Sequence, residues 1–322
     1  MSFKQNIAVI GCGYWGKNLV RNIHEIGALA AVSDPHPTTA DAMAKQYSVR
    51  ALPYADILAD EKIEGVVIAA PAHLHAELAL KAFEAGKHVL VEKPIALSVD
   101  EAQMMIAAAK SADKILMVGH LLQYHPAFLK LKSLCDQGAF GKLRNIYSNR
   151  LNFGKIRTEE NVFWSFAPHD LSMILSLAGR EPIKVAAHYT PSLEPQSNLA
   201  SSASAHFYFG DGLDAHVTVS WLNPFKEQKL VVVGDLGMAV FDDTLPFEKK
   251  LAVYKNTVEF EAGFPVLHKT EAEYMVLEPA EALKEECLHF LECMETGASP
   301  RTDGHEALRV LKLLQACDEA AK

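Results

Sequence analysis

The sequence predicts an α/β + α+β protein: a Rossmann domain with a doubly wound parallel sheet, then a domain with a large open mixed or antiparallel sheet covered by helices on one face. Three observations support this fold class. A length of 322 residues exceeds that of one ordinary core. Short apolar runs alternate with amphipathic helical segments in the first part of the chain. Beyond about residue 120, the β-type runs become longer and hairpin-like turns join them.

The N-terminal domain, predicted to span residues 1–121, has six short β-type runs with helical segments between them. In the first helical segment Leu19, Val20 and Ile23 fall on one face, so this helix can lie along a sheet. Ser98 and Glu101 form a capping box that marks the start of a later crossover helix. The predicted strands are residues 6–10, 29–33, 49–52, 66–70, 88–91 and 115–118.

The C-terminal domain is predicted to span residues 122–322. It contains helices at 126–137 and 168–177 and two more at the end of the chain, of which those near 303–322 are expected to pack back on the first domain. Its predicted strands are residues 143–153, 185–189, 202–209, 213–221, 229–233 and 251–254.

Apolar residues alternate along two strands of this second sheet and would form a large apolar patch if their face were exposed. We therefore expect a second subunit to cover the sheet, which predicts a homodimer or homotetramer. The residues concerned are Ala205, Phe207, Val217 and Val219.

The composition excludes several classes of function. A formal net charge of -9 argues against a nucleic-acid groove, which needs a basic face. The five cysteines are scattered without the spacing of a zinc site, so no metal is expected. No signal-peptide pattern and no run of about 18 apolar residues appears, which predicts a cytoplasmic protein without a membrane span.

A glycine-rich turn follows the first predicted strand. Gly11 permits a tight turn, Gly13 lets the backbone approach a pyrophosphate, and Gly16 allows the helix and strand to pack closely. Asp34 ends the second strand, where a carboxylate can accept hydrogen bonds from both ribose hydroxyls and repel a 2′-phosphate. The context predicts NAD as the cofactor. A glycine-rich turn with an incidental aspartate is the alternative.

The sequence Glu92-Lys93-Pro94 follows the fifth predicted strand, at the carboxyl edge where ligands bind in open α/β sheets. The Lys93 ammonium can donate a hydrogen bond to a hydroxyl or ketone oxygen and support proton transfer. A surface lysine before a proline turn is the alternative interpretation.

Four sequence motifs together resemble the glucose–fructose oxidoreductase, inositol dehydrogenase and rhizopine catabolism (Gfo/Idh/MocA) family: GCGYWG, Ala69-Ala70-Pro71 with His75, Glu92-Lys93-Pro94, and Val118-Gly119-His120. The resemblance implies NAD, hydride exchange at a sugar or polyol carbon, and a cis Lys93–Pro94 bond with Lys93 beside nicotinamide and substrate. Besides the three glycines, Asp34 and Lys93, the expected cofactor-binding residues are Tyr14, Trp15, Ala70, Pro71, His75, Glu92, Gln123 and Trp164.

The family's second signature is an aspartate four residues before a histidine, and this chain departs from it. His169 matches the histidine, but Ser165 stands in the aspartate's position. The resemblance therefore assigns the proton role to His169 or Lys93, with Asp170 in a steering role. A histidine that only caps or packs is the alternative for His169.

The expected substrate-binding residues are Lys93, Tyr147, Arg150, His169 and Asp170. Arg150, with Lys155 and Arg157, could also supply cations for a carboxylate or diphosphate. A solvated basic edge is the alternative interpretation of these three cations.

Residues 164–170 and 121–128 resemble the family branch that acts on nucleotide sugars. That resemblance implies oxidation of the 3-hydroxyl of a UDP-linked N-acetylhexosamine or its uronic acid. Two alternatives remain open: a dehydrogenase for a free sugar or polyol such as inositol, and a non-catalytic NAD-binding sensor on the same fold.

Overall fold

The computed structural model describes residues 4–154, 156–191 and 199–322, which form two compact units. The first unit contains the chain up to Tyr124 together with Ala280–Leu311. The second contains His125–Pro279 and Lys312–Lys322. Residues 280–302, which the sequence interpretation placed in the second domain, thus belong to the first unit.

The first unit is built on a six-stranded parallel sheet in the order β3-β2-β1-β4-β5-β6. Its order reverses between β1 and β4, which confirms a doubly wound Rossmann sheet. In sheets of this kind, ligands bind beyond the carboxyl ends of the strands at that switch point. The strands are β1 (Ile7–Ile10), β2 (Leu29–Ser33), β3 (Arg50–Ala51), β4 (Gly65–Ile68), β5 (His88–Val91) and β6 (Leu116–Val118). The crossover helices are α1 (Gly16–Ile26), α2 (Pro37–Tyr47), α3 (Tyr54–Ala59), α4 (His75–Glu84) and α5 (Val99–Ser111).

The core of the first unit joins α1 to the sheet through Leu19, Val20 and Ile23, all fully buried. The predicted capping box of Ser98 and Glu101 is present at the start of α5. Near the end of the chain, α8 (Ala282–Thr296) packs against α1 and against the 3₁₀ turn at Leu121–Tyr124. The apolar stripe of α8 therefore completes this core, which explains why the helix belongs to the first unit.

The second unit contains an eight-stranded mixed sheet in the order β16-β13-β12-β11-β7-β10-β9-β8, in which β7 and β10 are parallel. Its strands are β7 (Leu143–Phe153), β8 (Lys184–Thr190), β9 (Ser202–Tyr208), β10 (Asp214–Ser220), β11 (Leu222–Gly234), β12 (Met238–Asp242), β13 (Leu251–Tyr254) and β16 (Glu273–Tyr274). A separate hairpin pairs β14 (Thr257–Glu261) with β15 (Phe264–His268). The helices are α6 (Pro126–Asp136), α7 (Val162–Ala178) and, shared by the two units, α9 (Gly304–Ala320).

The helix α7 packs against β7, β9 and β10 and begins earlier than the predicted residue 168. The Asn161 side chain caps it by accepting hydrogen bonds from the backbone N–H groups of Phe163 and Trp164. Pro168, which the sequence interpretation took as the helix start, lies inside the helix. Tertiary burial stabilises this helix despite the missing N–H, because most of its residues are buried.

The apolar residues behind the oligomer prediction lie on the face that α7 covers. Val217 is opposite Ser148 in the sheet, and the Ser148 hydroxyl hydrogen-bonds Asp170 of α7. Ala205, Phe207, Val217 and Val219 are fully buried in the single chain. The argument from an exposed apolar patch is therefore wrong, because the helix already covers these side chains. The oligomeric state stays a prediction.

In the described part of the chain, no helix has the length and apolar character to cross a membrane.

Candidate functional site

Two of the three glycines in the turn between β1 and α1 have no room for a side chain, and the third faces open space. A Cβ atom on Gly11, whose φ is +93°, would lie 2.6 Å from the Ala69 carbonyl oxygen. A Cβ on Gly16 would lie 1.9 Å from the Gly11 carbonyl oxygen, whereas one on Gly13 would meet nothing within 4 Å. The fold thus requires Gly11 and Gly16. Gly13 leaves an open approach to the N-terminus of α1, which fits a pyrophosphate.

Asp34 is held at the end of β2 by backbone hydrogen bonds. One carboxylate oxygen accepts from the Cys12 N–H at 2.8 Å and the other from the His36 N–H at 2.9 Å. Each oxygen retains a lone pair for a ribose hydroxyl. In the adjacent turn, the Tyr14 side chain is 82% exposed and Trp15 is 36% exposed, so both are accessible to a ligand.

His75 joins the loops that follow β4 and β5. Its Nδ1 lies 2.8 Å from the Pro94 carbonyl oxygen and its Nε2 lies 2.9 Å from the Ala70 carbonyl oxygen. Burial lowers the pKa of His75, which favours the neutral ring. The side chain is only 1% exposed, and its assignment to the cofactor site stays a prediction. His75 fixes the loop of Ala70 and Pro71 to that of Lys93.

Gln123 is the second predicted cofactor residue that the structure places in the interior. It lies in the 3₁₀ turn after β6, is 3% exposed, and its backbone carbonyl accepts a hydrogen bond from Arg301. The assignment of Gln123 to the cofactor site stays a prediction, although its side chain is almost fully buried.

Glu92 and Lys93 lie at the carboxyl end of β5, and both are partly exposed. The Trp15 indole N–H donates a hydrogen bond to the Glu92 carboxyl group. A Cβ on Gly119 would lie 3.0 Å from a Glu92 carboxyl oxygen, so a larger residue at this position would displace the end of the Glu92 side chain. Burial raises the pKa of Glu92, while the Trp15 hydrogen bond and the Lys93 charge oppose that rise. The Lys93–Pro94 peptide bond is cis, as predicted.

The first unit also contains a buried carboxyl group that the sequence interpretation missed. Glu286 of α8 is 1% exposed, and among the residues that the structure describes neither of its oxygens has a hydrogen-bond partner. One signal was available: Glu286 is on the apolar stripe of Leu283, Cys287 and Phe290, where a carboxyl group is out of place. Another largely buried acid of this unit is Glu306, whose carboxyl oxygen lies 2.6 Å from Nδ1 of the buried His120.

Arg150 and Asp170 form a buried ion pair in the second unit. The Arg150 Nε donates to Asp170 at 2.7 Å and a terminal nitrogen donates at 3.2 Å, while the Ser148 hydroxyl donates at 2.6 Å. Arg150 is 9% exposed and Asp170 is 1% exposed. These two predicted substrate residues therefore satisfy each other and join β7 to α7.

His169 and Ser165 lie one turn apart on α7 and share a face of the helix. Ser165 is buried, whereas His169 is partly exposed. The predicted cofactor residue Trp164 donates its indole N–H to Asp318 at 2.7 Å, and the Tyr189 hydroxyl donates to the same carboxylate at 2.9 Å. Asp318 thus holds Trp164 within the second unit.

Tyr147 lies on the other side of the sheet from Arg150. Side chains alternate along β7, and Tyr147 stacks on His216 with ring centroids 5.1 Å apart. Tyr147 and Arg150 therefore point to opposite faces of the sheet, and their assignment to the substrate stays a prediction. Of the other predicted cations, Arg157 pairs with Glu160 at 3.3 Å and Lys155 lies outside the described residues.

Two family profiles match the chain. The profile for an oxidoreductase family with an NAD-binding Rossmann fold, GFO/IDH/MocA, matches residues 5–120. The profile of the GFO/IDH/MocA C-terminal domain matches residues 128–240. The two together cover more than half of the chain.

Several known proteins are similar to the chain. UDP-N-acetylglucosamine 3-dehydrogenase of Acidithiobacillus ferrooxidans is 32% identical over 60% of this chain and 61% of that protein. A crystal form of this enzyme superposes with a TM-score of 0.84 at 27% identity, covering 98% of this chain and 96% of the other. The NAD(+)-dependent scyllo-inositol 2-dehydrogenase of Bacillus subtilis is 27% identical over 93% of this chain and 89% of that protein.

Proposed function

The chain belongs to the GFO/IDH/MocA oxidoreductase family, and we propose that it removes a hydride from the 3-hydroxyl of a UDP-N-acetylhexosamine or its uronic acid. The coarser function is established by the family: the chain is an NAD-binding oxidoreductase that acts on the CH–OH group of a sugar or polyol. What we propose beyond this function is that the substrate carries UDP and that its carbon 3 is oxidised.

The observation that carries the proposal is the similarity to UDP-N-acetylglucosamine 3-dehydrogenase, which extends over 98% of this chain in structure. Ser165 adds support, because it replaces the aspartate that the inositol-dehydrogenase type of relay requires. A substrate with a nucleotide handle gains binding energy remote from the reacting carbon, which can position that carbon.

The cofactor site of the first unit fits NAD, because Gly13 leaves the helix N-terminus open and Asp34 presents carboxylate lone pairs. When bound, NAD supplies a hydride acceptor. We propose that Lys93 donates a hydrogen bond to the reacting hydroxyl and thereby lowers the pKa of that hydroxyl. We assign to His169 the reception or relay of the proton, since its side chain is partly exposed and an imidazole can both accept and donate a proton.

A free-polyol dehydrogenase is the second candidate. It is favoured by the similarity to scyllo-inositol 2-dehydrogenase, which spans 93% of this chain. The two candidates differ in one binding property, because a free-polyol site has no reason to bind a uridine diphosphate.

The test measures the rate of NAD reduction with each of four substrates: UDP-N-acetylglucosamine, its uronic acid, free N-acetylglucosamine and scyllo-inositol. We expect turnover with a UDP-sugar, competitive inhibition by UDP, and a 3-keto product. Trapping with borodeuteride places deuterium on the oxidised carbon, which mass spectrometry then locates. Turnover of only the free compounds without inhibition by UDP would replace the proposal with the second candidate. Cofactor binding without turnover of any sugar would favour the NAD-binding sensor.

A further inference from the structure

Three acidic side chains of the first unit lie around the end of β5, and the reaction assigned above uses none of them. Glu92 is partly exposed and bonded by Trp15, whereas Glu286 is buried on α8 and Glu306 is paired with His120. Glu286 interacts electrostatically with Glu92, and Glu92 with Lys93 and His120. The arrangement brings a partly exposed carboxyl group into electrostatic interaction with a second that is buried.

The position of Glu92 on the sheet relates it to one half of the dinucleotide. Asp34 ends β2, on one side of the switch point between β1 and β4, and Glu92 follows β5 on the other side. A dinucleotide crosses the switch point, so a ribose held at Asp34 leaves the nicotinamide to the half that includes β5. Glu92 therefore lies on the nicotinamide side of the sheet.

The charge of the nicotinamide distinguishes the two states of the cofactor, since the oxidised ring is a cation and the reduced ring is neutral. Glu92 interacts electrostatically with the Lys93 ammonium. With NAD bound, that ammonium would repel the oxidised ring, and an ionised Glu92 would offset the repulsion. The reduced ring, which has no charge, gains little from either group. A carboxylate at position 92 thus discriminates between the two redox states.

Burying Glu286 costs stability, because an isolated carboxyl group on the apolar stripe has no partner among the described residues. Burial and the neighbouring Glu92 raise the pKa of Glu286 well above the usual range of a glutamate. In the described part of the chain, the titratable groups that interact electrostatically with Glu286 are Glu92, Tyr124 and the adjacent Cys287, and none of the three carries a positive charge. Burial without a hydrogen-bond partner and the nearby Glu92 therefore favour the neutral form of Glu286 when Glu92 is ionised.

We infer that Glu92 selects the oxidised over the reduced nicotinamide, and that Glu286, held as a neutral acid behind it, limits this carboxyl pair to a single negative charge. Glu92 would be a specificity-determining residue for the cofactor's redox state, and Glu286 a positioning residue that acts through it. The inference depends on NAD binding and not on the sugar, so the two can fail separately.

The experiment measures the affinities of the full chain for NAD+ and for NADH, each without sugar, between acid and alkaline pH. In the unmodified protein, the preference for NAD+ is expected to rise with pH as Glu92 loses its proton and then to level off. Glu92→Gln keeps an oxygen that can accept the Trp15 hydrogen bond but removes the charge. It should lower the NAD+ preference about five- to tenfold at the plateau and abolish its pH dependence.

Glu286→Gln and the control Glu285→Gln, a neighbouring position on the same helix, test the buried acid. Because the folded-state pKa of Glu286 is raised, its contribution to stability is fully present below the unfolded pKa and is lost as pH rises toward the folded value. Glu286→Gln should therefore raise the melting temperature, and the increase should grow with pH. The preference of this variant for NAD+ over NADH should still rise with pH as Glu92 loses its proton. Glu285→Gln should follow the unmodified protein in both measurements.

Three results would overturn the inference. An unchanged NAD+ preference in a folded Glu92→Gln protein would show that Glu92 does not select the redox state. A pH dependence that persists in this variant would show that a group other than Glu92 selects the redox state. A Glu286→Gln protein whose melting temperature follows the unmodified protein at every pH would show that Glu286 is not a buried neutral acid.

Discussion

Charged side chains at the functional edge of the first unit differ from those of the second unit in what they contact. Asp34 and Glu92 accept hydrogen bonds from backbone N–H groups and an indole N–H, and both remain partly exposed. Arg150 and Asp170 bond each other, and both are buried. A carboxylate held by neutral donors keeps its charge available to a ligand, whereas a charge neutralised inside the protein serves the fold.

The largest expected effect tests the first half of this comparison. Lys93→Ala should lower kcat by about 10² to 10⁴, the usual contribution of a general acid–base group, and leave NAD binding and the melting temperature nearly unchanged. The control is Lys81→Ala, which removes an exposed lysine of α4 that pairs with Glu77. Steady-state kinetics with the sugar identified by the substrate panel provides the measurement. Near-normal turnover by a folded Lys93→Ala protein would transfer the proton role to His169.

The second prediction concerns the buried pair. Asp170→Ala should lower the free energy of unfolding by about 3–5 kcal/mol, because it leaves the Arg150 guanidinium buried without its partner. Replacing both residues by apolar ones, Arg150→Met with Asp170→Leu, should recover most of that loss. Urea unfolding in a Trp15→Phe background reports on the second unit, since Trp164 and Trp221 both lie there. Stability close to that of the parent in Asp170→Ala would mean that the pair is not structural.

The smallest expected effect concerns Asp34. Asp34→Ala should weaken NAD binding by about 1.5–3 kcal/mol, the value of hydrogen bonds to a charged group, and narrow the preference over NADP. Asp34→Asn keeps an oxygen that can accept the hydrogen bond from the Cys12 N–H but removes the charge. This variant therefore separates the repulsion of a 2′-phosphate from the structural role of Asp34 in the turn. Titration with both cofactors measures the difference. If the unmodified protein bound NADP as tightly as NAD, the role given to Asp34 would be lost.

Local sequence patterns predicted the fold of the first unit well, because strand, turn and helix signals there are short-range. The predicted second and fifth strands, 29–33 and 88–91, coincide with β2 and β5. The glycine spacing also predicted which backbone positions are crowded, since Gly11 and Gly16 have no room for a Cβ.

Properties that depend on distant parts of the chain were not predictable in this way. The start of α7 was misplaced because a proline usually marks a first turn, and here packing against the sheet outweighs that preference. The assignment of α8 to the first unit depends on contacts across more than 150 residues, as does the pairing of His120 with Glu306. Tyr147 and Arg150 were both assigned to the substrate, and the strand alternation that puts them on opposite faces was not considered.

His75 couples two loops mechanically. Its ring lies between the carbonyl groups of Ala70 and Pro94, and the backbone before Ala70 is in turn packed against Gly11. Amide protons of both loops should therefore exchange with solvent at a common opening rate, as parts of one cooperative segment. A ligand that stiffens the glycine-rich turn would slow exchange around Lys93 without touching it, and the imidazole ring of His75 would transmit that change.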